Sequence, residues 1–285
     1  MSAMSQSKVA VVTGSSSGFG LLVCIELARA GFQVVATMRD LGRSSKLDEA
    51  AALAGVAERI DVRRVDITEY DSLPPVVDAI LRDHRHIDVL VNNAGFAVGG
   101  FAEDIRLDEL RKQFDTNFFG AVAMTKAILP VMRRQKSGHI IMVSSVSGRA
   151  GAPVISSYSA SKFALEGWSE SLRLEARALG IHVVLVEPGS FETDIWTRNV
   201  MVGADCTTEA SQNRERARRF SERVKGKKKA DPRPVAQLIA RIAQDPKPKL
   251  RYVAGGDARM QLLTRALLPW RLYERLVAWA TKIDD

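Results

Sequence analysis

The sequence predicts an α/β fold: a single domain on a doubly wound, mostly parallel sheet with helices on both faces. Two observations lead there. Short apolar runs rich in Val and Ile alternate with longer stretches of helical periodicity, the order that parallel strands joined by crossover helices require. The chain has 285 residues, 46% of them hydrophobic, enough to bury one large core. Strands are expected at Val9–Thr13, Gln33–Met38, Ile60–Asp66, Val89–Asn92, Gly138–Ser144 and His182–Glu187, with a last one near Arg251–Ala254. Helices are expected at Phe19–Ala30, Ser72–Arg82, Leu107–Arg134, Ser157–Leu179 and Pro234–Ala243. No internal repeat interrupts this order. Ligands of such a sheet bind beyond the carboxyl ends of its strands, where the strand order reverses.

The first strand runs into Thr13-Gly14-Ser15-Ser16-Ser17-Gly18-Phe19-Gly20, and a helical pattern follows at once. Glycine tolerates positive φ and lets a phosphate approach the backbone, while the helix start offers unpaired N–H groups and the positive end of its dipole. Strand, glycine turn and helix in that order form the context in which a glycine motif can hold a phosphate; an ordinary tight turn is the plainer reading.

Tyr158 and Lys162 stand four residues apart, with Ser145 upstream. Residues i and i+4 lie on one helix face, about 5–6 Å apart, so Lys162 falls beside the Tyr158 ring. A tyrosine with a pKa of about 10 is a slow acid or base at neutral pH. An ammonium beside it favours the phenolate and brings that pKa down. By itself the spacing also fits an amphipathic helix with a solvated lysine.

These motifs stand in register with one another. T-G-x-x-x-G-x-G at Thr13–Gly20, Asn92-Asn93-Ala94-Gly95, Asn117, Ser145, Tyr158 to Lys162 and Pro188-Gly189 follow the order and spacing of the short-chain dehydrogenase/reductase family. The chain resembles that family from about Val9 to Thr193. More weakly, the rest resembles its NADP(H)-preferring 17β-hydroxysteroid dehydrogenase type 1 and photoreceptor-type retinol dehydrogenase branches. The resemblance implies a Rossmann-like fold, a homo-oligomer (dimer or tetramer), and hydride transfer between a nicotinamide and a carbonyl or secondary alcohol. It implies that Tyr158 is the general acid/base, that Ser145 holds the substrate oxygen and that Lys162 also bonds the nicotinamide ribose. Asn117 matches a position that holds a water linking Lys162 to solvent; an asparagine bonding to backbone inside a helix fits that position too. Cofactor contacts implied are Thr13, Gly14, Ser15, Ser17, Gly18, Phe19 and Gly20 in the turn and Asp66 at the adenine. Asn92, Ala94 and Gly95 fall at the adenine ribose, Tyr158 and Lys162 at the nicotinamide ribose, and Pro188, Gly189 and Thr193 at the nicotinamide amide. Ser144 neighbours Ser145, but strand alternation points the two opposite ways. A non-catalytic, NADP(H)-sensing regulator is the alternative; the joint presence of Asn117, Ser145, Tyr158 and Lys162 favours the enzyme.

Cofactor choice is expected at the end of the second strand, where an acidic residue would bind the ribose hydroxyl of NAD and an arginine the 2′-phosphate of NADP. The segment reads Ala36-Thr37-Met38-Arg39-Asp40. Arg39, with a hydroxyl from Ser15, predicts NADP(H); a surface pair between Arg39 and Asp40 would leave NAD(H) usable as well.

The substrate pocket is expected from 96–101, 146–155 and 190–200, with Phe96, Val98, Phe191 and Trp196 as its contacts and Phe101, Val154 and Ile195 nearby. Such a lining suits a lipophilic small molecule; core or lid packing of the same side chains is the alternative. Between Arg214 and Lys229 lie nine basic residues against Glu215 and Glu222, most of the formal charge of +8. This segment, within 195–232, reads as a solvated lid over the site; a patch for anionic membrane or acyl-carrier surfaces is an alternative, as is a nucleic-acid contact, which no aromatic interleaving supports. Residues 258–285 form an apolar and basic helical extension, split by Pro269, that suits packing on the body or a partner, or contact with a membrane surface. Cys24 and Cys206 provide no disulfide framework, the four histidines no metal cluster, and Met1–Ser7 no signal-like segment. With no apolar run of membrane-spanning length, a cytoplasmic enzyme is expected.

Overall fold

The computed structural model describes residues 7–196, 200–207, 213–226 and 229–283. The chain opens with β1 (Val9–Thr13), α1 (Gly18–Arg29), β2 (Gln33–Met38), α2 (Ser45–Leu53), β3 (Ile60–Arg64), α3 (Leu73–His84) and β4 (Val89–Asn92). A short β5 (Ala97–Gly99) precedes α4 (Leu107–Phe114), a π-helical turn (Asp115–Gly120) and α5 (Ala121–Gln135). Then come β6 (Gly138–Val143), α6 (Ser156–Ala176), β7 (Ile181–Pro188), β8 (Val200–Val202), α7 (Arg214–Gly226), α8 (Arg233–Ile242) and β9 (Arg251–Ala254). Two helices close the described chain, α9 (Gly256–Leu267) and α10 (Trp270–Thr281), with Pro269 between them as expected.

Seven strands form one parallel sheet in the order β3-β2-β1-β4-β6-β7-β9. The order reverses between β1 and β4, so the carboxyl ends of these two strands open a crevice. β1, β4 and β6 are buried almost throughout because helices cover both faces, which is why they read as unbroken apolar runs. On one face α1 and α8 pack Val23, Leu27, Val235 and Ile239 against the sheet. On the other, α3, α5 and α6 pack Ile80, Met124, Ile128, Leu165 and Leu172.

Three departures from the sequence expectation matter. The helix expected over 107–134 is broken by the π turn at Asp115–Gly120, where a Cβ on Gly120 would lie 2.7 Å from Ile67 Cδ1. The chain passes too close to the loop after β3 for a regular helix with a side chain there, and single π turns concentrate near functional sites. β5 and β8 pair as a small second sheet that neither three-residue segment announces. The strand expected to reach Asp66 ends at Arg64, because Asp66 Oδ1 accepts from the Thr68 N–H at 3.0 Å and its hydroxyl at 2.7 Å and turns the chain.

Candidate active site

At the crevice the glycine turn is shaped by contacts that exclude side chains. Gly14 has φ of +69°, and a Cβ there would lie 2.7 Å from Ala94 Cα. Gly18 has φ of +56°, and a Cβ on Gly20 would overlap the Gly14 carbonyl oxygen. Ser17, the N-cap of α1, is extended and makes no side-chain capping bond. The result is a bare backbone cradle with helix N–H groups pointing into it, which fits the pyrophosphate of a dinucleotide. Thr193 faces Gly18 from the far side of the crevice, its Cβ 3.6 Å from the position a Gly18 Cβ would take. Pro188 ends β7, and the Gly189 N–H donates to the Ala254 carbonyl at 2.9 Å.

Past the end of β6 and along the first turns of α6, Ser145, Tyr158 and Lys162 come together, all three buried. The Ser145 hydroxyl bonds the Tyr158 oxygen and also accepts the Ser147 N–H at 3.1 Å. Lys162 Nζ donates to the Val143 carbonyl at 2.8 Å and lies 5.8 Å from the Tyr158 ring centre. Burial pushes the Tyr158 hydroxyl up to about 12, with Ser145 pulling the other way. Burial also pushes Lys162 down to about 8, against the opposing charge of Glu166. Desolvation thus raises the Tyr158 hydroxyl, opposite in direction to the lowering expected from Lys162 beside it.

Behind this trio lies a charge cluster that the sequence does not announce. Glu187 is fully buried, its oxygens 3.1 Å from Arg149 Nη1 and 3.0 Å from Arg251 Nε. Arg251 also pairs with Glu166 at 3.0 Å and Glu170 at 2.5 Å. Ser144 turns toward Glu166, away from Tyr158, so the two adjacent serines point opposite ways.

A cavity of about 1030 Å³ opens above Ser145, Tyr158 and Lys162. Gly99, Gly100, Val154, Ile155, Phe191 and Ile195 form part of its largely apolar wall. Its roof comes from α9 and α10 through Met260, Gln261, Thr264, Tyr273, Leu276 and Val277. Asp257 ties this roof to the crevice, its Oδ2 accepting the Ser190 N–H at 2.7 Å. Ala217 of α7 and Lys229 reach the same space. α7 is docked by Arg216, which stacks 4.8 Å from the Phe101 ring centre and donates to the Ile283 carbonyl at 2.7 Å.

The sequence profile of the short chain dehydrogenase family matches residues 8–201. The chain belongs to the short-chain dehydrogenase family. The dehydrogenase is 41% identical over 273 residues to an uncharacterized oxidoreductase, YusZ, of Bacillus subtilis, covering 95% of this chain and 97% of that protein. It is 34% identical over 284 residues to a 3-ketodihydrosphingosine reductase of Bacteroides thetaiotaomicron, covering 98% of each. A short-chain dehydrogenase from Streptomyces avermitilis superposes with a TM-score of 0.80 at 32% identity, over 95% of this chain and 98% of that one. A metagenomic short-chain oxidoreductase solved with NADP superposes with a TM-score of 0.69 at 25% identity, over 87% and 97%. The dehydrogenase is thus an oxidoreductase.

Several side chains expected at the cofactor or substrate are spent on the scaffold of the dehydrogenase. Thr13 Oγ1 accepts the N–H groups of Asn93 and Ala94, both at 3.0 Å, and clamps β1 to the chain after β4. The Asn93 amide returns to the carbonyls of Thr13 at 2.9 Å and Gly14 at 3.0 Å, a role the sequence reading missed. The Ser15 hydroxyl, expected at a phosphate, is fully buried and donates to the Thr37 carbonyl at 2.9 Å. Asn92 is buried against Thr125 Oγ1 at 2.8 Å. Asn117 clamps the Phe96 backbone, accepting its N–H at 3.0 Å and donating to its carbonyl at 2.9 Å; this is the backbone-bonding alternative for its side chain. Gly95 lies against it, with room for a Cβ only 3.1 Å from Asn117 Oδ1.

Phe96 and Val98 do not line the cavity. Gln113 bonds the Phe96 carbonyl and the Val98 N–H at 2.5 and 2.7 Å, and Val98 is fully buried. Phe191 does reach the cavity, packed edge-on to Phe19 at 5.7 Å. The Trp196 side chain, Lys227 and Lys228 lie outside the described residues. At the end of β2, Arg39 is exposed, and Asp40 accepts the Gly42 N–H at 2.9 Å to cap a turn. Among the described residues, no group of His, Cys, Asp and Glu could hold a metal ion, and no helix is long and apolar enough to cross a membrane.

Proposed function

We propose that this protein is an NADP(H)-preferring reductase of lipophilic ketones or aldehydes, with Tyr158 as its proton donor. The observation that carries the reading is the Tyr158 hydroxyl, paired with Ser145 on the floor of a large, mostly apolar cavity. When bound in the crevice, the dinucleotide supplies or accepts the hydride. Ser145 holds the substrate carbonyl oxygen beside Tyr158, and Tyr158 gives its proton to that oxygen as negative charge grows there. Lys162, anchored on the Val143 carbonyl, keeps further N–H groups for the ribose and a positive charge near the phenolate left behind. Asn117 positions the chain at Phe96 and so fixes the edge of the crevice. Gly14, Gly18 and Gly20 leave the backbone open to the pyrophosphate, and Arg39 takes the 2′-phosphate.

The cavity volume is at the upper end for a small-molecule site, about 300–1,000 Å³, so a long or bulky apolar substrate fits it better than a sugar. That one relative is named a 3-ketodihydrosphingosine reductase supports the same reading. The test is a series of methyl ketones of increasing chain length assayed by NADPH oxidation. kcat/KM should climb by roughly fourfold per added methylene until the cavity fills, as about 0.8 kcal/mol of transfer energy per methylene requires. A preference for the shortest members would refute the lipophilic substrate while leaving the proton donor to be tested separately.

A further inference from the structure

The two C-terminal helices carry an apolar face left exposed among the described residues. Among the described residues from Gly256 to Thr281, only Ala258 and Tyr273 are buried. Met260, Leu263 and Leu267 form an exposed stripe along α9 at spacings of three and four, and Leu272, Leu276 and Trp279 form another along α10. Trp270 stands between them, and exposure reaches 71% at Leu267 and 77% at Trp279. Soluble surfaces rarely gather large apolar side chains so densely without a partner. The opposite side of the same helices, with Gln261, Thr264, Tyr273 and Val277, roofs the substrate cavity. Met260 and Leu276 belong to both, exposed and lining, so the cavity wall grades into the apolar surface at these two side chains.

We propose that this helix pair is a docking surface for an anionic lipid bilayer. Charge decides the occupant. Arg259, Arg271 and Arg275 are exposed among the apolar stripes, and Arg265 stacks over the Trp270 and Tyr273 rings at 4.8 and 5.5 Å. Asp257, one of the two carboxylates on these helices, is turned inward to the Ser190 N–H, which leaves Glu274 as the acidic group near the arginines. A symmetric contact with a second copy would set the same arginines against one another. An anionic headgroup layer neutralises them while the leucines and tryptophans enter the interface, the arrangement of in-plane amphipathic helices. Docked this way, the protein holds Met260 and Leu276 at the lipid, where a lipophilic carbonyl compound is concentrated. Only this loading role rests on the substrate reading above; the contact itself does not.

The test is flotation of the full-length protein with vesicles of phosphatidylcholine alone or with about one third phosphatidylglycerol. Wild-type protein should float with the anionic vesicles, not with the neutral ones, and salt should release it. Leu263→Ser/Leu267→Ser/Trp279→Ser and Arg271→Glu/Arg275→Glu should each cut flotation at least about tenfold. Both variants should keep wild-type turnover of a short, water-soluble ketone, since none of the altered side chains lines the cavity. Wild-type protein that stays unbound to anionic vesicles overturns the proposal. So does a wild-type dimer that the serine variant converts to monomer without any flotation. Flotation without turnover on any carbonyl compound would instead count against the catalytic reading alone.

Discussion

Lys162 is bonded to the Val143 carbonyl at 2.8 Å while its ammonium stands 5.8 Å from the centre of the Tyr158 ring. The sheet end, as much as the helix, holds the lysine in place. Burial sets the charge of both groups: Tyr158 is pushed up to about 12 and Lys162 down to about 8. The tyrosine therefore keeps its proton over the whole range in which the lysine titrates.

That order gives a pH profile with a definite sign. Lys162 is charged below about pH 8 and neutral above it. Reduction leaves a phenolate that needs the ammonium, so kcat/KM for reduction should be level below about pH 8 and fall tenfold per unit above it. Lys162→Met should remove this descending limb and lower the plateau by about 10²-fold or more. A wild-type profile flat to pH 10 would contradict the assignment.

Cofactor preference should reside in one side chain. Arg39 is exposed at the end of β2, and Asp40 is occupied with Gly42. Arg39→Asp should raise KM for NADPH by about 10–100-fold, the value of a charge-assisted bond plus new repulsion, and leave KM for NADH equal or lower. Initial rates with both cofactors check it.

The charge cluster behind the trio should be a stability element. Arg251→Met leaves the buried Glu187 and Glu166 without their shared partner. Breaking a buried pair from one side costs about 3–5 kcal/mol, measurable by urea unfolding at pH 7. The deficit should shrink in acid as Glu166, whose carboxyl burial already holds above its ordinary range, takes up a proton.

Thr13 should likewise matter for folding rather than for cofactor contact. Thr13→Val removes the acceptor of the Asn93 and Ala94 N–H groups and should cost about 2–4 kcal/mol. Thr13→Ser should restore most of it. NADPH affinity at a temperature where both fold should change little; a large loss of affinity with unchanged stability would reverse the assignment.

The sheet and the convergence of its strand ends were legible because they rest on local pattern: apolar runs, helical periodicity and a glycine turn between them. The meeting of Ser145, Tyr158 and Lys162 followed from motif register. Side-chain direction was legible for Ser144 and Ser145 after β6 but not at the ends of β1 and β4. Thr13, Ser15 and Asn92 stand at positions that border the crevice, yet each satisfies a buried backbone or side-chain group, which the one-dimensional order cannot announce. Phe96 and Val98 were drawn into the scaffold by Gln113, seventeen and fifteen residues away in sequence. The roof was missed because α9 and α10 are apolar on two sides, and periodicity alone does not say which side meets the cavity.

The most direct measurement of the central claim uses NADPH carrying deuterium at C4 of the nicotinamide, a long-chain ketone, and wild-type protein beside Tyr158→Phe. Wild-type enzyme should deliver deuterium to the carbinol carbon. The variant should bind NADPH with unchanged affinity and turn over at least about 10²–10⁴-fold more slowly. Undiminished turnover in Tyr158→Phe would remove Tyr158 as the proton donor and contradict the account.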